Sequence, residues 1–205
     1  MKKLSIYAIA LIGILITANL LSCESRKKDD AKEALTDLSD TMGDSKDMAT
    51  NQNDEKFKGN PLKDDARFAV AAADGGMLEV ELGKLAETNA SSQLVKDFGK
   101  HIVEDHSKAN EEMKALALSK NISLPEALSK KYIKKVDEFS KKTGEEFDKD
   151  YMALMVSDHK DDIKEFEKEV EKGNDSEIKA YASSKIPTLK HHLQMAEDTK
   201  EALKK

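Results

Sequence analysis

A single helical stripe constrains this chain more than any other feature. In and around Lys149 to Phe166, KDYMALMVSDHKDDIKEF, the residues Phe147, Tyr151, Met155, Ile163, Phe166 and Val170 fall on one face of a 3.6-residue helix. His159 falls near the middle of that face, so a histidine points toward the core. The template recurs 53 positions earlier, where Lys96 to His106, KDFGKHIVEDH, matches at Lys, Asp, Val, Asp and His. Phe98 stands for Tyr151 there, and Ile102 for Met155. Two helices built on an aromatic followed by V-x-D-H define an architecture rather than an activity.

The same spacing of three and four runs through the C-terminal two thirds. A first long helix, capped by Asp64 and Asp65 and ending near Asn89, carries Phe68, Ala71, Leu78, Leu82 and Leu85. A second, capped by Ser91 and Ser92, carries Val95, Phe98, Ile102 and Met113 and stops near Asn121, ahead of Pro125. A shorter piece, Glu126 to Lys142, precedes a third long helix, Glu145 to Glu171. After the Gly173-Asn174-Asp175 turn, a fourth runs from Ser176 to Lys205, with a kink or break expected at Pro187. Four helices of about 40 Å bury their stripes most simply as an antiparallel bundle. The long second connection allows a ferritin-like crossover containing the extra helix, or an up-and-down bundle with that helix packed outside. No stretch alternates as a strand would. With 36% charged residues and a net charge of -6, the surface suits solvated helices and excludes nucleic acid as a partner.

The N-terminus reads as an address. Residues 1–22 place Lys2 and Lys3 before an apolar run from Leu4 to Leu21, and Leu20-Leu21-Ser22-Cys23 resembles a bacterial lipobox. Cleavage before Cys23 would lipidate the only thiol in the chain and anchor the protein in a membrane, leaving none for disulfides. Glu24 in place of aspartate favours outer-membrane sorting, facing periplasm or cell surface, and Lys28-Asp29-Asp30 resembles a short surface-export tag. Residues 23–63 are polar, with Leu35, Leu38 and Met42 isolated among charges, and are expected to be a flexible acidic linker reaching roughly 35 Å. The domain proper is placed at 64–205.

Helical wheels put one polar group from each long helix on its apolar stripe: Glu79, His106, His159 and His192. Asp162 follows His159 on the same face, Asp105 sits at an edge, and His191 points to solvent. Imidazole and carboxylate groups meeting in a dry core suit Zn, Fe, Mn or Cu. They equally suit a hydrogen-bonded network that fixes helix register. Di-iron bundles use Glu-x-x-His, but Val103, Val156 and Leu189 precede the three histidines by three, so that motif is absent. Met77, Met113, Met152, Met155 and Met195 are spaced as core filler. No nucleophile elbow, P-loop, dinucleotide fingerprint or H-E-x-x-H motif occurs. The residues thus leave two functions open, a non-enzymatic envelope module with a protein partner and a metal-binding or redox protein.

Taken together, Phe68, Glu79 in EVELGKLA, the V-x-DH at His106, FDKDY with MVSDH at His159, and IPTLKHHL at His192 resemble the bacterial domain of unknown function 4142. The resemblance spans roughly Asp64 to Leu203. It implies a ferritin-like fold and an outer-membrane or envelope location, points to the same four residues, and implies no activity, substrate or metal.

Overall fold

The computed structural model describes residues 43–204. The expected signal peptide, the lipidation expected at Cys23, the tag-like Lys28-Asp29-Asp30 and the first part of the expected linker lie outside the described residues. Six helices follow in order: α1 (Ser45–Lys56), α2 (Leu62–Asn89), α3 (Gln93–Ser119), α4 (Lys130–Ser140), α5 (Gly144–Lys172) and α6 (Ser176–Ala202). The described residues are all-α, and their one piece of sheet-like pairing is an isolated bridge between Ala90 and Gly144. α6 continues through Pro187 as one helix, where a break was an open expectation. The short helix of the long connection is trimmed to α4.

Two helical hairpins make the core, α2 with α3 and α5 with α6, and they pack on each other through α2 against α5 and α3 against α6. Inside the first hairpin the backbones nearly touch. A Cβ on Gly99 would lie 2.7 Å from Ala86 Cβ and 2.8 Å from the Gly83 carbonyl oxygen, so only glycine permits this crossing.

Each hairpin caps the other. Ser92 occupies the N-cap position of α3 but makes no cap of its own. Instead Asp148, from the first turns of α5, accepts hydrogen bonds from the Ser91 amide at 3.1 Å, the Ser92 amide at 2.9 Å and the Ser91 hydroxyl. Asp65, expected to cap its own helix, does the reciprocal work. From α2 it accepts from the Asn174 amide at 2.7 Å and the Asp175 amide at 3.3 Å, in the turn between α5 and α6. Both carboxylates are buried, and both satisfy helix-end amides that would otherwise lack acceptors.

Glu169 lies beside Asp65, 8% exposed. Burial first, and then the neighbouring Asp65 carboxyl, push its pKa from an ordinary 4.5 to about 8. The folded state therefore favours the protonated acid. That contribution is fully present below 4.5 and is lost as pH rises through about 8, because the unfolded chain gives up this proton more readily. In Glu169→Gln, urea midpoints measured across the same window should fall less with rising pH than in wild type. An unchanged slope would mean that Glu169 is already ionised in the fold.

The chain just before Lys63 is not the flexible linker expected there. From Ser45 the chain is helical, and α1 packs against α2 with Ala49 and Asn53 buried. The fastening is polar rather than an apolar stripe, which is why periodicity misses it. Asn53 pairs with Ser123 through both its amide groups, at 2.8 and 2.7 Å. Ser45 Oγ accepts from the Glu126 and Ala127 amides, and Asp44 accepts from the Lys130 amide at 2.7 Å. These bonds organise the connection between α3 and α4. The folded unit thus begins about twenty residues before the expected boundary at 64.

Apolar clusters bracket the polar core residues. On α3, Ile102 belongs to one cluster and Met113 to another, and on α5 Met155 and Ile163 are divided in the same way. On α6 the pair is Ala196 and Leu189. His106, His159 and His192 fall in the three gaps.

Candidate metal centre

The structure brings together the four residues expected on the helix stripes. Glu79 and His192 are 1% exposed, His159 is fully buried and His106 is 7% exposed. The three imidazole rings have centroids 5.3 to 5.7 Å apart. His101 and His191 are exposed.

Every buried ring has one nitrogen fixed by a neighbour. His159 Nδ1 donates to the Met155 carbonyl at 3.0 Å, since a carbonyl only accepts. His192 Nε2 donates to Asp105 Oδ2 at 2.9 Å. His106 Nδ1 lies 2.7 Å from Glu79 Oε2. The remaining nitrogens, His106 Nε2, His159 Nε2 and His192 Nδ1, find no hydrogen-bond partner among the described residues. Three buried, unsatisfied ring nitrogens in one place demand a reason, because each costs about 1–3 kcal/mol.

Electrostatics leaves these rings neutral. Burial, reinforced by the charge that His106 and His192 would carry, lowers the pKa of His159 to about 3. Burial likewise lowers His192 to about 4, with a further push from His106, and lowers His106 despite the nearby acids. A neutral imidazole whose other nitrogen is a committed donor presents a lone pair. One ring nitrogen from each histidine lies within 4.8 Å of one from the other two. A triangle of that size has its centre no more than about 2.8 Å from each corner, so contraction of about 0.7 Å per ring would reach zinc–nitrogen distances.

Asp162 does not join the imidazoles. It groups with Glu79 and with Asp158, a residue the sequence analysis did not select, and these three carboxylates offer oxygens within 4.8 Å of one another. Burial raises the pKa of all three, and each feels the charge of a neighbouring acid. The signal for Asp158 was its place four residues before Asp162, which puts both on one side of α5. Asp105 also gained a role it lacked on the wheel, as the acceptor that orients His192.

A partly open cavity of ≈ 130 Å³ runs from the surface to this site. Glu79, His106, Asp162 and His192 are among its lining residues, as are Lys108 and Lys185. It has room for about four waters.

The class defined by fold and site is an all-α domain with a buried imidazole and carboxylate cluster at its centre. The chain belongs to the family described as Domain of unknown function (DUF4142), which it matches over residues 46–199, nearly the whole helical unit. A crystal structure of a Streptomyces coelicolor protein, described as a secreted protein of type DUF305, is similar in fold. It aligns with a TM-score of 0.55 at 13% identity, covering 65% of this chain and 90% of that one. No curated protein matches the sequence. Among the described residues no helix is long and apolar enough to cross a membrane.

Proposed function

We propose that this protein is a metal-binding module of the cell envelope, holding one transition-metal ion on His106, His159 and His192. One observation carries the reading. Three buried imidazoles each have one nitrogen held by a carboxylate or a backbone carbonyl, and the other has no partner. That is the arrangement by which proteins orient histidine ligands, with outer acceptors fixing ring and tautomer. A register-fixing network would use both nitrogens of each ring. Imidazole donors suit Zn, Cu and Fe better than Mn, and Zn is the probe of choice because it needs no redox control.

The scaffold for this ion is proposed to be a ferritin-like antiparallel four-helix bundle made of α2, α3, α5 and α6, with α4 in the crossover between the hairpins. The module is proposed to reach the envelope through the leader at 1–22 and to be anchored at the outer membrane by lipid on Cys23. The lipobox-like residues support this, as does a structural neighbour described as secreted. Its role is binding rather than catalysis.

Calorimetric titration of the chelator-stripped full chain with Zn²⁺ tests the proposal. One equivalent should bind, and neither His106→Ala nor His159→Ala should retain it. Absence of binding to wild type, or undiminished binding to both variants, would remove the metal from this site.

A further inference from the structure

The carboxylates beside the imidazoles have their own chemistry. We propose that Glu79, Asp158 and Asp162 hold a second, hard divalent cation of the Mg²⁺ or Mn²⁺ class, next to the imidazole-bound ion. The proposal extends the metal-binding reading above but uses a different set of donors.

Glu79 is the hinge between the two sites. Its Oε2 holds His106, while Oε1, on a side chain 2% exposed, has no hydrogen-bond partner among the described residues and lies 3.6 Å from His159 Nδ1. One oxygen is therefore committed to the first site and the other is free for a second. Asp158 and Asp162, half-buried, make no side-chain hydrogen bond among the described residues. Their exposed neighbours on α5 have lysine partners, Asp161 with Lys164 at 2.8 Å and Glu167 with Lys190 at 2.8 Å. Neither Asp158 nor Asp162 forms an ion pair with lysine or arginine among the described residues. Three carboxyl groups with oxygens this close repel one another when ionised. A divalent ion removes that conflict.

Size and access agree. Oxygens within 4.8 Å of one another leave a centre no more than about 2.8 Å from each, close to the 2.0–2.6 Å of roughly ideal Mg²⁺ and Ca²⁺ bonds. Carboxylate oxygens select hard ions, as imidazole nitrogens select borderline ones, so the two donor sets need not compete for one metal. Mg²⁺ and Mn²⁺ keep several waters when bound. Glu79 and Asp162 both line the cavity that could hold those waters.

The test uses Mn²⁺ and its electron paramagnetic resonance signal, which is strong for the free aqua ion and lost on binding. The full chain, first loaded with one equivalent of Zn²⁺, should quench the signal of one further equivalent of Mn²⁺. Asp158→Asn and Asp162→Asn keep side-chain shape and should each weaken Mn²⁺ binding by at least about tenfold, the size that outer-shell changes alone produce. Their Zn²⁺ stoichiometry should stay at one. His159→Ala should lose Zn²⁺ and keep Mn²⁺. An undiminished free Mn²⁺ signal in the zinc-loaded wild type would overturn the second site and leave the first standing. Quenching that both asparagine variants preserve would overturn it too, by placing Mn²⁺ elsewhere. Mn²⁺ binding without any Zn²⁺ binding would support this site and defeat the imidazole one.

Discussion

Zn²⁺ at about a thousandfold excess over its Kd is expected to raise the thermal midpoint of the stripped protein by about 10 °C. Binding to the folded state alone contributes about 4 kcal/mol at that ratio, and a domain of this size shifts by about 2–4 °C per kcal/mol. The informative variant is His159→Leu. It removes a fully buried ring whose Nε2 has no partner and puts apolar volume among Met155, Ile163 and their neighbours. Without metal it should melt above the metal-free wild type, since the orphaned nitrogen costs about 1–3 kcal/mol. With Zn²⁺ it should not move. The two variant results together separate a site from a scaffold: a histidine serving only architecture would destabilise the protein when lost, and its loss would leave any response to Zn²⁺ intact.

Asp148→Ala should cost about 4 kcal/mol, read as a drop in urea midpoint at unchanged slope. The buried carboxylate accepts three hydrogen bonds from Ser91 and Ser92, and bonds to a charged acceptor contribute about 1.5–3 kcal/mol each before non-additivity. Truncation also leaves two amides at the start of α3 without an acceptor. Asp148→Asn keeps one acceptor oxygen and should recover about half of the loss. A loss under about 1 kcal/mol for the alanine variant would show that water replaces the carboxylate, and that the turn is not held from α5.

The bracketing of three histidines by apolar clusters was legible because it is local. His106, His159 and His192 each share a face with residues three, four and seven positions away, so a wheel places them inward without knowledge of their partners. Glu79 yielded to the same argument. What faces a residue across the core is another matter. Asp65 was read as a cap for its own helix because the usual cap partners are two or three residues away, whereas its real partners lie 109 and 110 positions on. Asp148 and Ser91 are 57 apart. α1 escaped notice for a related reason: it is held by Asn53 and Ser45 bonding to backbone about 70 to 80 residues away, and it has no continuous apolar stripe. Asp158 falls outside the sequence selection because neighbouring residues diverge on a helix and the stripe runs through His159. Its actual company, Glu79, comes from α2.

The exchanged caps of Asp65 and Asp148 bear on how this molecule comes apart. The amides at the α2–α3 turn are satisfied only while α5 is docked, and those at the α5–α6 turn only while α2 is docked. Neither hairpin satisfies its own turn amides, so neither is expected to be stable alone. Opening one hairpin strips the helix ends of the other, and subglobal openings of the kind that let a bundle fray helix by helix are suppressed in favour of one all-or-none transition. The proposed ligands on α3, α5 and α6 would then be lost together whenever the fold opens.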